Sequence, residues 1–266
     1  MDATNTNREI QKIMHPLKVR LVTVKKVVQI SPRMKRITLT GKELSDFVSS
    51  SPDDHVKAFF PQPGENLPVL PEITATGPVY PEGYKPIMRD YTPVRFDNQA
   101  CELDLEFYLH ESGPGTEWAL QAQEGQVLGI AGPRGSFVVP YKFDWYLMIG
   151  DETAIPSIHR RLQELPANAK ALAIIEVEDI SEERILSTLA NTEVIWIHRK
   201  GHAPGTADLF KKAILAHAFP YGDYFTWIAT EGQTSKELTE LLETVKGANT
   251  RWIKATAYWK KDLGHE

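Results

Sequence analysis

The chain has 266 residues, 42% hydrophobic and 24% charged, with 17 Gly and 18 Pro; this composition excludes disordered and fibrous architectures, and the length allows a proper core without disulfide staples. Lys and Arg number 30 against 35 Asp and Glu, a formal net charge of −5, so a dedicated nucleic-acid binder is not expected and any anionic ligand must be met by a local basic patch. The single cysteine, Cys101, excludes an internal disulfide, an iron–sulfur site and a thiolate zinc site.

Residues 1–18 are polar and read as a flexible leader. Residues 19–30 and 36–40 are rich in β-branched residues, with a Ser31-Pro32 turn signal between them, and read as strands. Residues 55–60 form another short apolar run, stopped by Pro61 and Pro63. Residues 64–85 contain many Pro and Gly and read as a long loop. In 101–110, Cys101, Leu103, Leu105, Phe107 and Leu109 alternate with Glu102, Asp104, Glu106, Tyr108 and His110. That period of two predicts a strand with one buried and one wet face. A short helix is expected over 116–123, and strands over 125–130 and 136–139 around the turn at Gly132–Gly135. Many short strands with turn signals predict a closed barrel.

The period changes in the second half. Residues 145–149 are a continuous apolar run ending at Gly150, as a buried parallel strand reads. Further strands are expected over 171–177, 193–198 and 224–229, and helices over 153–165, 207–219 and 235–246. The last helix carries Leu238, Leu241, Leu242 and Val245 as an i, i+3, i+4, i+7 stripe. Strands alternating with helices predict a doubly wound parallel sheet. The domain boundary is expected at 143/144. No apolar run is long enough to span a bilayer, so a cytoplasmic protein without membrane insertion is expected. His198 and His202 straddle Gly201, and neither His-Glu-x-x-His nor a nucleophile elbow occurs. No resident iron site is expected.

The segment Arg89-Asp90-Tyr91-Thr92 is the most informative in the chain. A guanidinium can grip a phosphate, and a tyrosine two residues on can pack against a flat cofactor. By themselves these residues suit a solvated barrel strand equally well. The segment resembles the Arg-x-Tyr-Ser/Thr flavin motif of the ferredoxin-reductase superfamily. Further pieces resemble, in order, one branch of it, the siderophore-interacting proteins. These are His55–Phe60; His110 with Gly113, Pro114, Gly115, Thr116, Glu117, Trp118 and Ala119; Gly132–Ser136; Gly150-Asp151-Glu152-Thr153; and Ala257-Tyr258-Trp259-Lys260-Lys261.

The resemblance implies a six-stranded antiparallel Greek-key FAD-binding barrel over 1–143. A doubly wound NAD(P)H-binding domain follows over 144–266, with a C-terminal segment facing flavin and substrate. It implies FAD held by Arg89, Asp90, Tyr91, Thr92, His110, Gly113, Pro114, Gly115, Thr116, Trp118 and Ala119. His110 taken alone reads as a solvated histidine on the polar face of its strand, and only the resemblance makes it a flavin contact. NADPH or NADH would lie along Gly150, Asp151, Glu152 and Thr153, with Arg199 and Lys200 suited either to a 2′-phosphate or to a plain charged loop. Thr230-Glu231-Gly232 departs from the Gly-Glu-like pair expected there, and no Gly-x-Gly-x-x-Gly follows residue 149. Lys57, Arg134, Lys260 and Lys261 would receive an anionic ferric siderophore. The implied activity is flavin-dependent ferric-siderophore reduction by a monomer, with outer-sphere electron transfer and no catalytic side chain. A ferredoxin is an alternative donor. The competing readings are a general flavin or ferredoxin-type reductase and a non-catalytic siderophore carrier.

Overall fold

The computed structural model describes residues 8–261. It divides into two compact units between Val139 and Pro140, with Arg8 and Glu9 belonging to the second.

The first unit contains β1 (Gln11–Met14), β2 (Val19–Ser31), β3 (Met34–Thr40), β4 (Val56–Phe60), β5 (Glu72–Thr74), β6 (Gly77–Val79), β7 (Ile87–Tyr91), β8 (Pro93–Asp97), β9 (Glu102–Tyr108), helix α1 (Pro114–Gln121), β10 (Val127–Ala131) and β11 (Gly135–Val138). The main sheet runs β7-β4-β10-β2-β3-β9-β8. Its two outer strands are separated in the chain by Thr92 alone, so the sheet curls round and closes. Residues 87–97 act as one bent strand, and six antiparallel strands make the barrel. β3 lies beside β9 and β4 beside β10, the crossed connections of a Greek key. Val22, Val24, Ile37, Leu39, Val56, Ala58, Leu103, Leu105, Phe107, Leu128 and Ile130 fill it.

Three expectations need correction here. Within the polar leader, residues 11–14 form β1, which pairs with β11; residues 1–7 lie outside the described residues. The long loop holds a small hairpin, β5 with β6, and Leu70 of that loop packs over Gly129. The polar face of β9 is not wet: Asp104 and Glu106 are 5% and 4% exposed. Arg95 covers the first, with Nε 2.9 Å from Oδ2, and Arg36 the second, with Nη2 2.6 Å from Oε1. Arginines on the flanking strands neutralise carboxylates that alternation alone assigns to solvent.

The second unit contains β12 (Trp145–Gly150), α2 (Ile155–Glu164), β13 (Lys170–Val177), β14 (Asn191–His198), α3 (Asp208–Ala216), β15 (Tyr224–Glu231), α4 (Gly232–Val245) and β16 (Ile253–Trp259). All five strands are parallel, in the order β14-β13-β12-β15-β16. The strand order reverses between β12 and β15, which places the ligand crevice of such sheets at the carboxyl ends of these two strands. At Gly150, ending β12, an added Cβ would lie 2.5 Å from the Ala154 Cβ and 2.9 Å from Ile158. Only glycine lets α2 pack this closely. Among the described residues no helix is long and apolar enough to cross a membrane.

Candidate functional site

The strand carrying Arg89 to Thr92 bends where it changes partners. Tyr91 faces Val56 of β4, whereas Pro93 faces Leu105 of β9. Proline has no N–H to give a ladder, so the break falls beside Thr92. Two-residue alternation puts Ile87, Arg89 and Tyr91 on one side of β7. Ile87 and Tyr91 pack on the barrel core, but Arg89 between them stays exposed. Its Nη1 donates to the Met88 carbonyl at 2.8 Å, and among the described residues it has no carboxylate partner. The Tyr91 ring lies 4.2 Å from Phe107 and 6.3 Å from Phe60. Burial raises its hydroxyl above the usual tyrosine range.

Helix α1 is built against this tyrosine. At Gly115, in its first turn, an added Cβ would sit 2.0 Å from the Tyr91 Oη. Gly113, the N-cap, has φ +132°, and a Cβ there would meet the His110 ring at 3.0 Å. No side chain caps this helix start, and the first-turn amides of Gly115 and Thr116 have no partner within the helix. Partial desolvation, then the charge of Arg89, holds the His110 imidazole below its ordinary pKa. The chain therefore brings Arg89, Tyr91, Thr92, His110, Gly113, Pro114, Gly115 and Thr116 to one place. Trp118 and Ala119 are otherwise disposed. Trp118 packs between Phe60 and Phe107, at 5.8 and 5.5 Å, and Ala119 is fully buried in the core. Their side chains are packed into the core and brace the helix.

In the second unit, the turn after β12 is occupied with itself. The Asp151 Oδ1 accepts from the Thr153 amide at 2.9 Å and its hydroxyl at 2.5 Å, while Oδ2 accepts from the Trp259 Nε1 at 2.8 Å. Burial lifts the Asp151 pKa to about 6. Arg199 is 1% exposed. It forms a two-point ion pair with Glu152, its Nη1 lying 2.8 Å from Oε2, and it also lies 3.3 Å from both Glu176 and Glu178. One guanidinium cannot neutralise three carboxylates, and burial raises Glu176 to about 7. Arg199, expected on a 2′-phosphate, is thus buried and paired with three carboxylates of its own fold. Lys200 beside it is exposed. Glu231 caps α4, accepting from the Gln233 and Thr234 amides at 2.8 and 3.0 Å.

The four cations named for the substrate differ in how free they are. Lys57 points outward from β4, and its Nζ lies 2.9 Å from Oδ1 of Asp90 on β7. Asp90, expected on the flavin, is thus held by a lysine on the opposite side of the strand from Tyr91. Arg134 is exposed in the turn between β10 and β11, with no carboxylate partner among the described residues. Lys260 and Lys261 follow β16 and are exposed.

Residues 23–137 match the family model for the siderophore-interacting FAD-binding domain, and residues 143–262 that for the siderophore-interacting protein. The chain belongs to the siderophore-interacting protein family. It is 38% identical to the NADPH-dependent ferric-chelate reductase of Escherichia coli, covering 96% of this chain and 98% of that one. It is 32% identical to the ferric vibriobactin reductase ViuB of Vibrio cholerae, covering 89% and 88%. The crystal structure of a siderophore utilization protein from T. fusca superposes with a TM-score of 0.90 at 38% identity, over 97% of this chain and 98% of that one.

As a siderophore-interacting protein, the chain fits FAD in its first unit. Two glycines let the start of α1 close onto Tyr91 and His110 where any side chain would collide, and its uncapped amides, with an exposed Arg89 that has no carboxylate partner among the described residues, suit a diphosphate. The glycine spacing was legible in the sequence. Glu176, Glu178 and Trp259, which occupy Arg199 and Asp151, were not, because they lie on or beside strands distant in the chain.

Proposed function

We propose that this protein reduces ferric siderophores, taking electrons from NADPH and passing them through FAD to Fe(III), so that iron leaves its chelator as Fe(II). The observation that carries this reading is the 38% identity, over nearly the whole of both chains, to an NADPH-dependent ferric-chelate reductase. Bound FAD supplies two-electron acceptance from a nicotinamide and one-electron release to iron.

The chain's own residues bind and orient. Arg89 and the first-turn amides of α1 hold the diphosphate, and Tyr91 and Thr92 meet the sugar chain and ring edge. His110, neutral at pH 7, flanks the same end. Lys57, Arg134, Lys260 and Lys261 attract the anionic ferric chelate. Gly150 to Thr153 would lie by the nicotinamide end of the reductant, and exposed Lys200 would replace Arg199 as the cation for a 2′-phosphate. No side chain has to move a proton. Reduction loosens hard oxygen donors from iron. The working unit is a monomer in the cytoplasm, where the nicotinamide is regenerated, with a ferredoxin as the alternative donor.

The test is anaerobic stopped-flow absorbance. NADPH should bleach the yellow protein, and a ferric triscatecholate should restore its colour while ferrous iron is trapped by a chromogenic chelator. A protein that takes up no FAD, or whose reduced flavin ignores ferric chelates, sinks the reading.

A further inference from the structure

The turn bearing Arg134 is held by an element with almost no hydrophobic anchorage. All four side chains of β1 are exposed, so burial does not fix this strand. Its ladder to β11, from Gln11↔Val138 to Met14↔Gly135, continues in a bond from the His15 amide to the Arg134 carbonyl at 2.9 Å. At Gly135 the strand comes so close that an added Cβ would lie 3.0 Å from the Ile13 carbonyl oxygen.

What locks this arrangement is a polar chain ending in a buried carboxylate. The His15 Nε2 lies 2.7 Å from Ser136 Oγ, and Ser136 Oγ lies 2.6 Å from Asp54 Oδ2. Asp54 is 2% exposed and also accepts from the Ser49 hydroxyl at 2.9 Å and the Ser51 amide at 3.1 Å. A serine has one hydroxyl proton, and a carboxylate accepts it. The Ser136 proton therefore goes to Asp54, and Ser136 must accept from its other neighbours. These are the Ser50 amide at 3.2 Å and the His15 ring. The donor count thus requires a proton on the His15 Nε2. The far side of the turn is gripped independently, by the buried Arg20, whose Nη1 reaches the Gly132 carbonyl at 3.3 Å.

We propose that His15 is a positioning residue for Arg134, acting through Ser136 and Asp54 to pre-organise this cation for an anionic ferric chelate. The proposal rests on the reading of Arg134 as a substrate contact. A long side chain on a loose turn pays ordering entropy when the chelate arrives; on a locked turn that cost is already met by the fold.

The experiment measures KM for a ferric triscatecholate and, separately, the rate at which NADPH reduces the bound flavin. His15→Leu should raise KM roughly three- to tenfold, the loss of one part-buried hydrogen bond, with flavin reduction unchanged. His15→Gln, which keeps a donor near the same place, should restore KM. Arg134→Ala should raise KM at least as far, and His15→Leu added to it should change nothing more. Additive effects of the two substitutions overturn the proposal, as does a His15→Leu protein with wild-type KM or with slowed flavin reduction. An Arg134→Ala protein with unchanged KM refutes instead the substrate reading beneath it.

Discussion

Lys57 and Asp90 are cross-strand neighbours on β4 and β7, with Nζ 2.9 Å from Oδ1 and both side chains about half exposed. A cation assigned to an anionic substrate is thus partly neutralised before the substrate arrives. Exposed pairs of this kind are worth about 0–1 kcal/mol, so a multiply charged chelate can displace the aspartate. Asp90→Asn should lower KM for a ferric triscatecholate about two- to fivefold, and the gain should shrink as salt is raised. An uncharged ferric chelate should be reduced as before. Equal gains for charged and uncharged chelates would show that Asp90 acts otherwise than by its charge.

The flavin cradle depends on a missing atom. Gly115→Ala would drive a Cβ to 2.0 Å from the Tyr91 Oη, pushing α1 off the strand that carries Arg89. The expected result is protein with little bound FAD, read as the ratio of flavin to protein absorbance. Tyr91→Phe in the same chain removes the offending oxygen and leaves the Cζ at 3.3 Å, so flavin content should partly recover. Full FAD occupancy in Gly115→Ala would mean that the helix is free to shift.

Arg199 is predicted to matter for folding. Arg199→Met leaves Glu152 and Glu176 buried without their cation, and breaking such a pair costs about 3–5 kcal/mol. The melting temperature should fall sharply, while the preference for NADPH over NADH should persist in whatever protein folds. Lys200→Ala should do the reverse, weakening NADPH selectively at unchanged melting temperature. Exchange of these two phenotypes would return the phosphate to Arg199.

Stability should depend on pH through the same buried acids. Asp151 titrates at about 6 and Glu176 at about 7, both raised first by desolvation from ordinary values of 3.8 and 4.5. The folded state therefore holds these protons more tightly than the unfolded chain. Their contribution to stability is fully present below pH about 4 and is lost as pH rises toward 7. Asp151→Asn should flatten the dependence of unfolding free energy on pH between about 4 and 6. A slope unchanged in that variant would show that Asp151 is ionised throughout.

Local patterns were enough for much of the architecture. The alternation of 101–110 marks β9, the apolar run 145–149 marks β12, and the stripe through Leu238, Leu241, Leu242 and Val245 marks α4. These features are legible because periodicity is a property of neighbours in the chain. The glycines at 113 and 115 pointed to a flavin only through the family resemblance, since by themselves they read as an ordinary turn. By contrast, β1 has no periodic signal, since its four exposed residues are ordered by hydrogen bonds to β11 more than a hundred positions away. Arg199 reads as a surface cation until the sheet brings Glu152, Glu176 and Glu178 round it. Whether a charge is spent within the protein or left for a ligand depends on which distant carboxylates fold against it, and proximity of that kind arises only when the strands are laid side by side.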